Sequence, residues 1–361
     1  MNYSFLFRVD SGKGIGVGHI SRCQTLAIEL IEKGHQVYFL SKTHIGNSIK
    51  ELDNRIKIIE IESNFDHTTQ VDHDYSTWNC ENDEEEFKRI QSYVDSLNLD
   101  FLILDHYGIG EAFDKKVRSI HQLKYAVIDD LYRNHDCDIL INQNYGFTKE
   151  HYQNSKASTF CLGPSYSLLQ KDFVNMRESI SPIKKVENIL IFFGGNDLTD
   201  ETYKVVNAFT EAPSADIEGF QCNAFISKGH ERYDELIDLS SKLDNFQIHQ
   251  LSPEFKNYLY KCDVFFGASG TTNWERCCLG KPTFLVTIAD NQKQIGENLS
   301  NDGIVHHLGS GSKTSPSDWL TIIKLLKNDV EYINNLAQKS FQLVDGLGTQ
   351  RVADKLIKEL I

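Results

Sequence analysis

The sequence has no surplus of positive charge, no long apolar run and no closely paired cysteines, and each absence removes a class of function. The 37 Lys and Arg are outnumbered by 51 Asp and Glu, a net charge of −14. Nucleic-acid surfaces need basic patches to meet phosphates, so no nucleic-acid partner is expected. The same balance leaves room for a small anion, which a few arginines or a helix N-terminus bind locally. No stretch approaches the roughly 18 consecutive apolar residues of a membrane span, and no membrane partner is expected. Met1-Asn2-Tyr3-Ser4-Phe5-Leu6-Phe7 lacks a basic segment and a long apolar core, so no secretion signal is read and a cytoplasmic location is expected. The 8 cysteines are scattered, with no Cys-x-x-Cys pair. That speaks against a structural zinc or dithiol centre and for reduced thiols packed as small core residues.

What is present is enough apolar material, 40% of 361 residues, for packed cores in a chain too long for a single ordinary one. Short apolar runs alternate with amphipathic segments. Ser4–Val9, His35–Ser41, Ile56–Ile61, Phe101–Leu104, Tyr125–Ile128, Asp138–Ile141 and Thr159–Leu162 read as strands. Ile20–Lys33 and Asp83–Leu97 read as helices. Near-continuous apolar strands between helices predict an α/β fold with parallel sheets covered on both faces. Residues 178–185, with Ser179, Ser181 and Pro182, read as an interdomain linker. The alternation restarts with strands at Asn188–Phe193, Cys222–Ile226, Phe246–His249, Val264–Phe266 and Thr283–Ile288, and helices at Asp200–Thr210 and Pro253–Lys261. The expected domains are residues 1–178 and 186–345, with the helix at 346–361 returning to the first. The polar stretch 63–86, including Asp72-His73-Asp74, reads as a solvated loop rather than a metal site.

Chemistry concentrates where strands end. Val9 runs into a turn containing Gly14, Gly16 and Gly18, then His19 and, three residues on, Arg22, on one helix face. Asp105-His106-Tyr107 follows one buried strand and Asp129-Asp130 another. Polar groups at the carboxyl ends of parallel strands are where open α/β sheets hold ligands. In the second half, Gly194-Gly195-Asn196-Asp197 closes a strand ahead of a helix, and Ser269-Gly270-Thr271-Thr272 follows another strand ahead of a helix whose N-terminus can hold a phosphate. Glu275 lies one turn into the second of these helices, where a carboxylate can accept ribose hydroxyls or simply favour the dipole.

In this order, three sets of residues carry a resemblance. The first is Gly16-Val17-Gly18-His19-Ile20-Ser21-Arg22-Cys23, Asp105-His106-Tyr107-Gly108 and Ile128-Asp129-Asp130-Leu131. The second is Cys137 to Asn144 and Gly163-Pro164-Ser165-Tyr166-Ser167-Leu168-Leu169. The third is Phe193-Gly194-Gly195-Asn196-Asp197, Gly270 to Arg276 and Ala289-Asp290-Asn291-Gln292. Together they resemble the UDP-2,4-diacetamido-2,4,6-trideoxy-β-L-altropyranose hydrolases of pseudaminic acid biosynthesis, which are similar in fold to two-domain GT-B glycosyltransferases. Ser269, where the family often has glycine, and Asn196, where a small residue is usual, are departures.

The resemblance implies two Rossmann-type domains whose sheets face a central cleft. It implies a UDP-sugar substrate, no cofactor and no metal. UDP is expected mainly on the second domain, with Gly270, Thr271 and Thr272 at the diphosphate, Glu275 at the ribose and Ser269 in the binding set. Gly194, Gly195 and Asn196 would approach the phosphates. Asp290, Gln292, Tyr107, Asp105, Gly16, Gly18 and Arg22 complete the expected binding set. His19 is the implied general base, with Asn291 beside it in the catalytic set. Water would attack the anomeric carbon with inversion, releasing UDP. An imidazole with a reference pKa near ~6.5 is well suited to take that proton. Competing readings are a GT-B glycosyltransferase with another acceptor, a nucleotide-sugar sensor, and a hydrolase that cuts P–O.

Overall fold

The computed structural model describes residues 2–63, 65, 75–195, 197–270 and 272–361, apart from the side chains of Ser76 and Asn291. Asp72-His73-Asp74, Asn196 and Thr271 therefore lie outside the described residues. The chain forms two compact units, residues 1–170 with 346–361, and residues 171–345.

The first unit runs β1 (Ser4–Val9), α1 (Gly18–Glu32), β2 (Gln36–Lys42), β3 (Lys57–Ile61), α2 (Asp83–Leu97), β4 (Phe101–Asp105), α3 (Glu111–Val117), β5 (Lys124–Ile128), β6 (Ile139–Asn142) and β7 (Thr159–Leu162). All neighbouring strands are parallel, in the order β3-β2-β1-β4-β5-β6-β7. The period of two along β1 sends Phe5, Phe7 and Val9 into one core with Leu26, Ala27 and Leu30 of α1, and Leu6 into the opposite core with Ile90 of α2. α2 starts where the Asn82 side chain accepts from the amides of Glu84 and Glu85, and four acidic residues fill its first turn. Both features stabilise a helix N-terminus.

The second unit continues with α4 (Asp172–Arg177), β8 (Asn188–Phe192), α5 (Glu201–Glu211), α6 (Ser214–Ile217), β9 (Gln221–Ile226), α7 (Tyr233–Ser240), β10 (Phe246–Gln250), α8 (Phe255–Lys261), β11 (Val264–Ala268), α9 (Thr272–Cys278), β12 (Thr283–Thr287), α10 (Lys293–Asn301), β13 (His306–Ser310), α11 (Pro316–Asn328) and α12 (Val330–Leu343). Its parallel sheet has the order β10-β9-β8-β11-β12-β13. The last helix, α13 (Gly348–Lys358), packs on α1, with Val352, Ala353 and Leu356 fully buried in the first unit's core.

The unit boundary differs from the sequence expectation of a first domain ending at 178 and a linker at 178–185. Both the linker segment and α4 belong to the second unit. Phe173 is buried, and the Arg177 guanidinium lies 3.2 Å from the Phe341 ring centre while donating to the carbonyls of Cys278 and Phe341, each at 2.7 Å. These contacts anchor α4 to α9 and α12.

Each sheet reverses its strand order once: between β1 and β4 in the first unit, and between β8 and β11 in the second. The loops leaving the two strands at such a reversal are the usual ligand position in open α/β sheets. His19 follows β1 and Asp105 ends β4, while Gly194-Gly195 and Ser269-Gly270 follow β8 and β11.

Candidate functional site

In the first unit β1 and β4 are paired so that Val9 lies opposite Asp105, which brings the strand ends level. The chain leaving β1 turns through Gly14 and Gly16, at φ of +83° and +80°, where a side chain would be strained. The Gly16 amide donates to the Gly12 carbonyl at 2.8 Å, closing the turn. α1 then begins at Gly18, earlier than expected, so His19 and Arg22 both fall in its first turns.

His19 Nδ1 lies 2.7 Å from Asp105 Oδ1. Arg22 grips the same carboxylate with two donors, Nε to Oδ2 at 2.6 Å and Nη2 to Oδ1 at 2.7 Å. Its third nitrogen, Nη1, pairs with Asp130, and Tyr107 Oη donates to that Asp130 oxygen at 3.0 Å. Burial alone would raise the Asp105 carboxyl, but Arg22 and His19 hold it well below the usual carboxylate range. An ionised carboxylate only accepts, so Nδ1 carries the ring hydrogen. Arg22 Nη2 also lies 3.2 Å from Nδ1, but the shorter contact to a negative group decides the tautomer. Nε2 is left as an acceptor without a hydrogen-bond partner among the described residues.

An aromatic wall surrounds this imidazole. Tyr107 meets it edge-on with ring centres 4.4 Å apart, and Trp78 stacks on Tyr107 at 5.3 Å. Tyr75 packs edge-on to both Trp78 and Tyr107 at 4.9 Å. The wall depends on Gly108, where a Cβ would lie 2.7 Å from the Tyr75 carbonyl and 2.9 Å from the Asn79 amide. From behind, Arg133 fixes the loop by donating to the carbonyls of Tyr107 at 2.6 Å and Ile109 at 2.9 Å. Neither Trp78 nor Arg133 was expected at the site; a lone tryptophan in an acidic, polar stretch was the available signal.

Below the wall lies a closed charge network. Arg8 bonds Asp10 at 2.6 Å and Glu86 at 2.5 Å, all fully buried. His106 Nε2 lies 3.1 Å from Asp10, and its Nδ1 accepts from the Gly108 amide at 3.0 Å. Burial pulls the His106 imidazole down to about 4, so it is neutral at ordinary pH.

Two expected binding residues have a different role. Asp105, 1% exposed, has both oxygens occupied by His19, Arg22 and the Cys23 thiol, so no face remains for a sugar. Arg22, 6% exposed, is held by two carboxylates and supports the loop rather than presenting to phosphate. Gly16 and Gly18 shape the turn, and Tyr107 remains partly exposed.

In the second unit, Gly194 takes φ +92°, and the Gly195 carbonyl accepts from the Ser227 amide at 3.1 Å. Asp197 accepts the amides of Glu201 at 2.9 Å and Thr202 at 2.7 Å, so it caps α5. After β11, Ser269 is 3% exposed, and its Oγ accepts from Asn273 at 3.1 Å. Its side chain is turned inward, against the expectation of ligand contact. Gly267 permits the close strand packing below: a Cβ there would lie 2.6 Å from the Phe192 carbonyl.

Gly270 and Thr272 are half-buried. Glu275 is half-buried too, and its carboxylate has no hydrogen-bond or ion-pair partner among the described residues. Burial pushes it up to about 7, against the pull of Arg276 and Lys256. Arg276 beside it is 1% exposed. Asp290–Gln292 forms a short 3-10 turn after β12, with Asp290 exposed and Gln292 Oε1 accepting the Ile288 amide at 3.3 Å. Asn291 is placed there by its backbone.

No family model matches the chain. It is 26% identical over 226 residues to the UDP-2,4-diacetamido-2,4,6-trideoxy-β-L-altropyranose hydrolase of Campylobacter jejuni, covering 62% of this chain and 72% of that protein. It is 22% identical over 263 residues to the spore coat polysaccharide biosynthesis protein SpsG of Bacillus subtilis, covering 72% and 76%. An uncharacterised protein of Methanocaldococcus jannaschii is 25% identical over 296 residues, 79% of this chain but only 55% of that protein, so the chain spans little more than half of that relative. Among solved structures, MurG of Acinetobacter baumannii superposes with a TM-score of 0.66 at 16% identity, covering 99% of this chain and 100% of that one. The calicheamicin glycosyltransferase CalG4 gives 0.68 at 14% identity, covering 99% and 98%. At such identity the structures speak for the fold. With its two parallel-sheet Rossmann-like units, the chain is a distant relative of the Campylobacter hydrolase built on the fold of the GT-B glycosyltransferases.

Proposed function

We propose that the chain is a UDP-sugar hydrolase acting on a UDP-linked 2,4-diacetamido-2,4,6-trideoxy sugar, a step toward pseudaminic acid. The observation that carries this reading is the His19–Asp105 pair at 2.7 Å, which leaves Nε2 as a base. In this reading Nε2 accepts a proton from water as the water oxygen bonds to the anomeric carbon. The bond from that carbon to the UDP oxygen breaks with inversion, and UDP leaves with the electron pair. The imidazolium that forms is stabilised by the Asp105 carboxylate, whose own charge Arg22 balances.

The second unit binds UDP in this reading. Glu275, with no donor among the described residues, accepts ribose hydroxyls, and the backbone at Gly194-Gly195 and Ser269-Gly270 approaches the phosphates. Asp290, Asn291 and Gln292 are assigned to the sugar. Tyr107 and Trp78 supply an apolar wall suited to a sugar's methyl and acetamido groups. The likeness to the Campylobacter hydrolase supports water as the acceptor. The likeness to glycosyltransferases favours the second reading, transfer to another acceptor. Turnover of UDP-linked acetamido sugars in ¹⁸O-water, without any acceptor, tests the proposal. UDP release with label on the sugar C1 hydroxyl is expected; label in the phosphate product, or no release until an acceptor is added, would overturn it.

A further inference from the structure

We infer that the buried Arg276 guanidinium is the fixed counter-charge for the diphosphate of a nucleotide held on the loop after β11. The inference deepens the nucleotide-sugar reading above and rests on it. Among the described residues three arginines are almost completely buried: Arg8 at 0%, Arg22 at 6% and Arg276 at 1% exposure. Arg8 faces Asp10 and Glu86, and Arg22 faces Asp105 and Asp130. Arg276 has no carboxylate within ion-pair distance among the described residues. It is held instead by neutral acceptors, with Nη2 on the Ala268 carbonyl at 3.1 Å and on Asn273 Oδ1, and Nε on the Thr272 carbonyl at 3.2 Å. Its plane lies 4.5 Å from the Phe265 ring centre. Nη1 is buried and has no partner among the described residues.

A buried charge without its opposite is strongly unfavourable, and a fold retains one where something else gains by it. Ala268 ends β11 just ahead of Ser269-Gly270 and Thr272 opens α9, so the guanidinium is tied to both sides of the segment expected to meet phosphate. α9 has only 7 residues, too short for its N-terminus to serve as the anion site by itself. Burial lowers Arg276 to about 10, against an upward pull from Cys277 and Glu275, so the group remains charged at neutral pH with no carboxylate in ion-pair contact among the described residues. In a low-dielectric setting its field reaches a diphosphate on the loop with little screening. The same side chain could otherwise be a latch tying α9 to β11 through the carbonyls, and the two roles separate in their consequences.

The test compares uridine and UDP binding by calorimetry, in low and high salt, for the wild type, Arg276→Gln and Arg276→Lys, with thermal unfolding of each free protein. The counter-charge predicts that Arg276→Gln weakens UDP about 10- to 100-fold while uridine binding stays within about twofold, as expected for loss of a charge-assisted interaction. It also predicts that Arg276→Lys retains much of the UDP affinity and that Arg276→Gln unfolds no earlier than the wild type. Equal weakening of uridine and UDP with a lower unfolding midpoint, or unchanged UDP affinity in Arg276→Gln, would overturn the inference. A wild type that binds neither ligand overturns the nucleotide reading itself, a result distinct from both.

Discussion

His19 Nδ1 and Asp105 Oδ1 are 2.7 Å apart although 86 residues separate them in sequence. The pairing of β1 with β4 delivers one residue just beyond a strand end and the other at the end of the neighbouring strand. A carboxylate that fixes the tautomer and orientation of an imidazole supports base catalysis without touching substrate. Replacing His19 by Ala is expected to abolish turnover almost completely while UDP binding persists. Asp105→Asn is expected to reduce kcat ~10²- to 10⁴-fold, by loss of the tautomer and of the balance for Arg22. Single-turnover kinetics with calorimetry of UDP checks both; equal loss of UDP affinity in His19→Ala would make His19 a binding residue.

Glu275 should make nucleoside binding depend on pH. Ribose hydroxyls bond better to the ionised carboxylate, and the free group is raised to about 7. Uridine affinity is therefore expected to rise with pH through that value, and the dependence to vanish in Glu275→Gln. Uridine is the better probe because it carries no phosphate to titrate. Loss of the ribose contacts should cost about 1.5–3 kcal/mol of binding.

His106 contributes a stability term of opposite sense to a usual salt-bridged histidine. Its folded value, about 4, lies below the ordinary one, so the unfolded chain binds more protons between those values. Stability then increases as pH rises from about 4 to about 6.5, by on the order of 3 kcal/mol from this group alone. His135 works the other way. Burial lowers it, but Asp114 and Asp129 raise it overall, so its contribution is present below the unfolded value and declines as pH rises through the folded one. Urea titrations from pH 4 to 8 of the wild type and His106→Gln isolate the first term: the variant should show a flatter acid limb.

Trp78→Ala removes the stacked support of Tyr107, an aromatic contact of about 0.5–1.5 kcal/mol. The expected result is a fall in kcat/KM of up to about tenfold with uridine affinity unaltered. Trp78→Phe should recover most of it. Steady-state kinetics beside uridine calorimetry is the measurement.

Leu356→Ala empties a fully buried site between α13 and α1. A loss of about 2–5 kcal/mol in unfolding free energy is expected. Chemical denaturation followed by circular dichroism reads it directly.

Much of this architecture is legible in the residues. β1 and β7 end where apolar runs meet Asp10 and Gly163, and α2 lies between Asn82 and Asn98, because those residues set the local backbone. Residues 293–345 are harder. β13, His306-His307-Leu308-Gly309-Ser310, is half-exposed throughout and carries no apolar run. α11, by contrast, has a readable start in Pro316 and the reciprocal cap between Ser315 and Asp318. The site divides in the same way. His19 stands out because it follows a glycine-rich strand end. The inward turn of Asp105 and Ser269 is set by partners distant in sequence or hidden in a helix face, which spacing alone does not reveal. Arg276 was visible as a residue, but its lack of a carboxylate is a property of packing.

The return of α13 to the first unit has a consequence for synthesis. Residues 1–170 emerge first, yet the core between α1 and α13 stays open until residues 346–361 have followed the whole second unit out of the ribosome. The second unit is therefore contiguous and can close during translation, while the core of the first waits for Val352, Ala353 and Leu356. Of the two units, the one that starts earlier in the sequence is completed later.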